Sequence, residues 1–149
     1  MTSAAGAVGA GLGGAGVAAG LDLLILERDT RAYVGSGATV TVTGTASVES
    51  DSDDTIFSLV ANAGVGDSAG VAGSASVQVI GQGAASGTRA YIDGSVTAGG
   101  HLKVHADGEF TDKMIAGAIG AASSAGVGVS NTTLVLDHRV AAYVGDFGS

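Results

Sequence analysis

From Thr39 to Val48 the chain alternates strictly, with Val40, Val42, Gly44, Ala46 and Val48 on one parity and Thr39, Thr41, Thr43, Thr45 and Ser47 on the other. A period of two, with one apolar and one hydroxyl face built largely from β-branched residues, predicts a β-strand. The pattern returns further on, with Val96, Ala98, Gly100, Leu102, Val104 and Ala106 on one face and Ser95, Thr97, His101, Lys103 and His105 on the other. Gly44 and Gly100 stand at equivalent points within these runs, which marks a bend or a close approach of another backbone. A second strand family is predicted at 21–26, 76–80 and 132–137, each following an AGV segment. Between the families lie DSDDTIFSLVANAG and DGEFTDKMIAGAIG, read as a charged corner leading into a small-residue stretch. A helix over 113–122 is disfavoured, because each glycine there costs about 1 kcal/mol relative to alanine.

These runs are copies of one unit. SAGVAGS at 68–74 returns as SAGVGVS at 124–130, a shift of 56 that also carries Val40 onto Val96, Gly44 onto Gly100, Val48 onto Val104 and Asp51 onto Asp107. AGVAAG at 15–20 is a third version. The register changes only at Gly/Ser/Ala-rich stretches, between Ile80 and Gly87 and after Tyr33, where loops absorb length changes at little cost. A period of this size, with several strands and no proline, predicts an all-β fold, a parallel β-solenoid with wide coils of about 52–58 residues and a Gly/Ala-rich interior. The expected division is one repeat region over 1–149, with a partial coil at 1–38 and coils at 39–94 and 95–149. About two and a half coils with no evident polar cap read as a stretch of a longer protein, with Met1 an internal boundary. Open end strands of this kind invite end-to-end association.

Composition supports this picture. The chain has 149 residues, 27 glycines, no proline and no tryptophan, so its apolar fraction is mostly alanine and valine. Side chains so small bury little area each and are better used where two backbones run close together. Only 13% of residues are charged, unlike disordered chains of high charge and low hydrophobicity. Six scattered basic residues against 14 acidic ones give a net charge of -8 and no basic footprint for nucleic acid or for anionic lipid. Without cysteine there is neither disulfide nor thiolate chemistry. The first 20 residues lack a basic n-region and a leucine-rich core, so they read neither as a signal peptide nor as a membrane span.

Candidate chemistry is sparse. Gly9, Gly11 and Gly14 fit GxGxxG, a match expected by chance among so many glycines and without a preceding strand. Asp51, Asp53 and Asp54 are weak calcium candidates, although the corresponding Asp107, Glu109 and Asp112 are spaced differently and a solvated turn explains the cluster as well. His101 and His105 on a strand lie about 13 Å apart, too far to share one metal ion. They are expected to form a solvated outer row with Lys103. His138 has no nucleophile, base and orienter set around it. Asn131-Thr132-Thr133 satisfies the glycosylation sequon, more simply read as a surface asparagine. Catalytic and cofactor-binding residues are therefore expected to be absent, as is a cofactor, and the chain does not read as an enzyme.

The three tyrosines are the distinctive feature. TRAYV at 30–34 and TRAYI at 88–92 are near copies, and VAAYVG places Tyr143 in an equivalent setting after Arg139. Tyr33, Tyr91 and Tyr143 are expected to stack coil upon coil. Two placements follow, with the rings either sealing an interior of small residues or forming an outer column with Ala32 and Val34 inward. Arg31 and Arg89 share the tyrosine parity, so alternation favours the outer column, and these five residues form the candidate surface ligand column.

The pattern AGVxxSxxVxV, a loop, TRAYIG, a short turn and VTAGGxLxVxADxxT resembles repeats of giant bacterial surface proteins of the filamentous-haemagglutinin and leukotoxin-like adhesin class. The matching stretches are 68–79, 88–107 and 125–145, with 30–50 a looser copy and LDLLILERD a departure. The resemblance implies a right-handed parallel β-solenoid in a secreted or cell-surface filament, extracellular, serving adhesion or spacing, with no inherited catalytic residues. Implied partners are neighbouring repeats or further copies end to end, and a host or surface glycan or protein. A glycan-binding or glycan-active β-helix and a self-assembling fibre subunit are the alternatives.

Overall fold

The computed structural model describes residues 1–145, and every regular element among them is a strand. In order these are β1 (Thr2–Gly11), β2 (Ala15–Leu26), β3 (Asp29–Val34), β4 (Thr39–Val42), β5 (Ala46–Gly66), β6 (Ala69–Ile80), β7 (Gly87–Ile92), β8 (Ser95–Ala98), β9 (Leu102–Ala122), β10 (Ala125–Leu136) and β11 (Val140–Val144). Each pairs with its counterpart in the next copy, giving sheets β1-β5-β9, β2-β6-β10, β3-β7-β11 and β4-β8. β1 with β5, β2 and β10 with β6, β3 and β11 with β7, and β4 with β8 all pair parallel, so the protein is a parallel β-solenoid.

Register follows the sequence copies. Val17, Val71 and Val127 lie side by side, as do Tyr33, Tyr91 and Tyr143, while Val40 lies opposite Val96. The extra residues after Ile80 form a turn that begins at Gly81, whose φ of 74° suits glycine. The alternating run beginning at Thr39 is not one strand. β4 ends at Val42 and β5 starts at Ala46, with a bend at Thr43 and Gly44, and the same break separates β8 from β9 at Gly99 and Gly100. The amide of Gly100 donates to the Gly44 carbonyl, so the bends stack as the strands do. LDLLIL, divergent in sequence, keeps full register from Ala15 to Leu26.

One expectation fails. DSDDT is not a corner: Asp51, Asp53 and Asp54 lie within the 21-residue strand β5, and Asp107, Glu109 and Asp112 lie within β9. Alternating burial continues through Ser50, Ser52, Ile56, Ser58 and Val60, with Asp51, Asp53, Asp107 and Glu109 on the outward parity and Asp54 and Asp112 on the inward one, so the carboxylates do not interrupt the ladder.

The contacts divide the chain into two compact units. The first comprises Met1–Leu26, Thr55–Ile80 and Thr111–Leu136. Here two three-stranded sheets face each other with backbones close together near the turns between them. A Cβ added to Gly64 would sit 2.1 Å from the Val71 carbonyl oxygen, and one on Gly120 would sit 2.2 Å from that of Val127. Only glycine permits that approach. Farther from the turns the interior widens to hold Ala18, Ala72, Val60 and Leu24.

That interior is more polar than a Gly/Ala lining. Gln78, Ser58 and Ser76 are fully buried. The inward Asp22 carboxylate accepts from Ser3 Oγ at 2.9 Å, from Ser58 Oγ, and from Ser76 Oγ at 3.4 Å. Hydroxyls suit so narrow a space because they are small and can satisfy one another once removed from water. The second unit comprises Glu27–Asp54, Gly81–Phe110 and 137–145. It repeats the device, with Ser52 and Thr88 hydroxyls 2.6 Å apart and Ser86 Oγ donating to the Arg28 carbonyl at 3.0 Å beside buried Ala90 and Ile92.

Candidate functional site

The second unit carries the tyrosine column. In β7 the alternation buries Thr88, Ala90 and Ile92, so Arg89 and Tyr91 point outward, and β3 sets Arg31 and Tyr33 on the same face. The interior-sealing placement is thereby ruled out, since Tyr33 is 58% exposed. The rings do stack: Tyr33 on Tyr91 and Tyr91 on Tyr143, both with centroids 5.1 Å apart and with planes inclined by 8° and 4°. A strand spacing of about 4.8 Å fixes this separation, because identical residues in register place their rings one strand apart. Tyr91 thus has both faces covered by its neighbours, leaving its edge toward solvent.

Arg31 and Arg89 are also in register and would repel across adjacent strands. Asp29 resolves this with one carboxylate, whose Oδ2 lies 2.7 Å from Arg31 and whose Oδ1 lies 3.3 Å from Arg89. Arg89 also donates to the Ala85 carbonyl. In the equivalent region of the third copy, Arg139 Nε donates to Asp137 at 3.0 Å, and that carboxylate holds the guanidinium pKa above its usual value. A hollow of about 270 Å³ beside Tyr143 is lined by Ala84, Ser86, Arg89, Arg139 and Ala141. Its two guanidinium groups are each already matched by a carboxylate, so it offers a ligand little unspent charge.

The other candidates are dispersed. Asp54 pairs with Arg28 across one face of β5, while Asp51 and Asp53 are exposed on the opposite parity. Among the described residues no three His, Asp or Glu side chains gather to hold a metal ion. His101, Lys103 and His105 form an exposed row in which Lys103 Nζ lies 2.7 Å from Glu49. Lys103 and the Ser47 hydroxyl, which donates at 2.6 Å, hold the Glu49 carboxyl below its usual range. His138 leans on Phe110, their ring centroids 6.2 Å apart. Gly9 and Gly11 press against the carbonyls of Val17 and Ala15, a close backbone contact with no phosphate cradle. Asn131 lies on exposed β10, its Oδ1 accepting from Thr133 at 3.2 Å.

Two features of the first unit were not picked out among the sequence candidates. Asp112, inside near Gln78, has its carboxyl pKa pushed up by burial, a rise that the side chain of Gln78 and the Lys113 amide oppose only in part. Leu21, Leu23 and Ile25 are all more than half exposed. The signal for the latter lay in LDLLIL, where period two puts Asp22 and Leu24 on one face and the other three on the opposite one. No helix is long and apolar enough to cross a membrane among the described residues. No family model matches the sequence, and neither a curated protein nor a solved structure matches it.

Proposed function

We propose that the chain is a structural or adhesive repeat segment of a large bacterial surface or secreted filament, working outside the cell as a rod that spaces or presents neighbouring domains. The observation carrying this reading is the tyrosine ladder in register through three copies, in which conspicuous side chains stack on each other. The likeness of TRAYIG and VTAGGxLxVxAD to filamentous-haemagglutinin and leukotoxin-like repeats supports the same reading. A glycan platform has less support, because sugars dock on open aromatic faces and those of Tyr91 are taken. Small-angle scattering of tandem copies tests the proposal. Length should grow by a fixed increment per copy at constant cross-section, and particles that grow in all directions would refute a rod.

A fibre subunit that associates end to end is the second reading. It is favoured by β10, which is exposed at every position along its length. Filaments seen by electron microscopy that lengthen with protein concentration would support it, and their absence at all concentrations would remove it.

A further inference from the structure

In the first unit polar side chains share the interior, where Asp22, Ser58, Ser76 and Gln78 lie among Leu24, Ile56 and Val60, while an apolar face is turned outward. The outward positions of β2, β6 and β10 carry no charged residue, and Asn131 and Thr133 are their only polar side chains. Val17, Leu21, Leu23 and Ile25 on β2 and Val127 and Val129 on β10 are each at least half exposed. They stand in rows across the sheet: Val17 beside Val71 and Val127, and Leu23 beside Val77 and Thr133. Charge is concentrated elsewhere, for the first unit holds only Asp22, Asp67, Asp112 and Lys113 among its charged side chains.

We propose that the outward face of β2-β6-β10 is a self-association surface on which a second copy of this chain lies face to face. Twelve residues per strand and three strands give a face of roughly 500 Å². Two such faces together remove about 1,000 Å² from water, the lower bound for a specific interface. A single exposed patch of that size is at the upper end for a free monomer. The partner must itself be flat and uncharged, because short side chains in even rows offer neither a groove for a helix nor a pocket for an anchor residue. An identical face meets both demands, its valine rows fitting between those of the other copy as in a dry sheet-to-sheet contact. A lipid surface is a poorer occupant: the first unit contains no tyrosine or tryptophan and a single lysine, so it lacks the aromatic and basic anchors of interfacial binding.

Sedimentation velocity over a wide concentration range tests this, using the chain and its Leu23→Glu and Leu23→Lys variants. Leu23 is 58% exposed, so these substitutions leave the interior untouched, and far-ultraviolet circular dichroism checks that the β spectrum is retained. The wild-type chain should associate reversibly, and a charge of either sign should raise the midpoint concentration about a hundredfold or more, as an unpaired charge buried in an apolar contact does. Three results would overturn the proposal. They are a wild-type chain that stays monomeric throughout, a folded variant of either sign that associates like wild type (as strand-edge association would allow), and a monomer that instead floats with phosphatidylcholine vesicles.

Discussion

Tyr33 and Tyr91 lie far apart in the chain, yet their rings stack with centroids 5.1 Å apart and planes 8° from parallel. Tyr91 makes this contact twice and Tyr33 only with Tyr91 within the three-ring column. Each such pair contributes about 0.5–1.5 kcal/mol beyond area burial. Tyr91→Leu should therefore cost about 1–3 kcal/mol in denaturant unfolding, and Tyr33→Leu about half as much. Equal losses would mean that the rings contribute as separate apolar side chains.

Close backbone approach sets a second expectation. Gly64→Ala brings a methyl group against the Val71 carbonyl and should destabilise by about 3 kcal/mol, since rigid backbone has to move. Gly117 has open space where its Cβ would go, so Gly117→Ala should be neutral or stabilise by about 0.5 kcal/mol through the unfolded chain. Thermal melts of the two variants give the comparison.

Asp29 acts as a clamp between two like charges. Asp29→Asn leaves Arg31 and Arg89 adjacent without a counter-charge and should lower stability by about 1 kcal/mol at low salt. Because the residual effect is repulsion between exposed groups, the loss should shrink in about 0.5 M salt. A loss independent of salt would assign Asp29 a packing role instead.

Two carboxylates have opposite pH signatures. Burial raises the folded-state pKa of Asp112 above its unfolded value, so its ionised form is a penalty at neutral pH, relieved as pH falls through the folded pKa. Asp112→Asn should therefore melt at or above the wild-type temperature at pH 7, with the advantage vanishing in acid. Glu49 is depressed by Lys103 and Ser47, so its small contribution is present above its unfolded pKa and is lost as pH falls through the folded one. Glu49→Gln should lower the melting temperature slightly at pH 7 and have no effect in strong acid. Melts from pH 2 to 7 separate the two.

Repetition made the fold legible. Copies of AGV and of TRAY fixed which strands pair, and alternation through Arg31 and Arg89 favoured outward tyrosines. The acidic cluster misled because charge normally marks a turn, whereas in β5 Asp51 and Asp53 occupy the outer parity of a strand whose inner parity holds Ser50 and Ser52. Ser58, Ser76 and Thr88 are inside, where hydrogen bonds within the narrow interior satisfy them, a placement that no feature of their own sequence marks. Period two divides a strand into faces without saying which is inside, and when both faces carry small residues the neighbouring sheet decides. The Asp29 clamp was illegible for a related reason, since it depends on two arginines becoming neighbours only when the coils stack.

Stacking of one coil on the next in a fixed register is the central claim, and an engineered disulfide tests it most directly. Thr41 and Thr97 are parallel partners on the outer face, and the chain has no cysteine of its own. Paired strands hold such Cα atoms about 4.8 Å apart, within disulfide range. Under mild oxidation Thr41→Cys/Thr97→Cys should form an intramolecular disulfide in monomeric protein, while Thr41→Cys/Val96→Cys, with side chains on opposite faces, should not. Failure of the first pair to close, or equal closure of both, would contradict the stacked register.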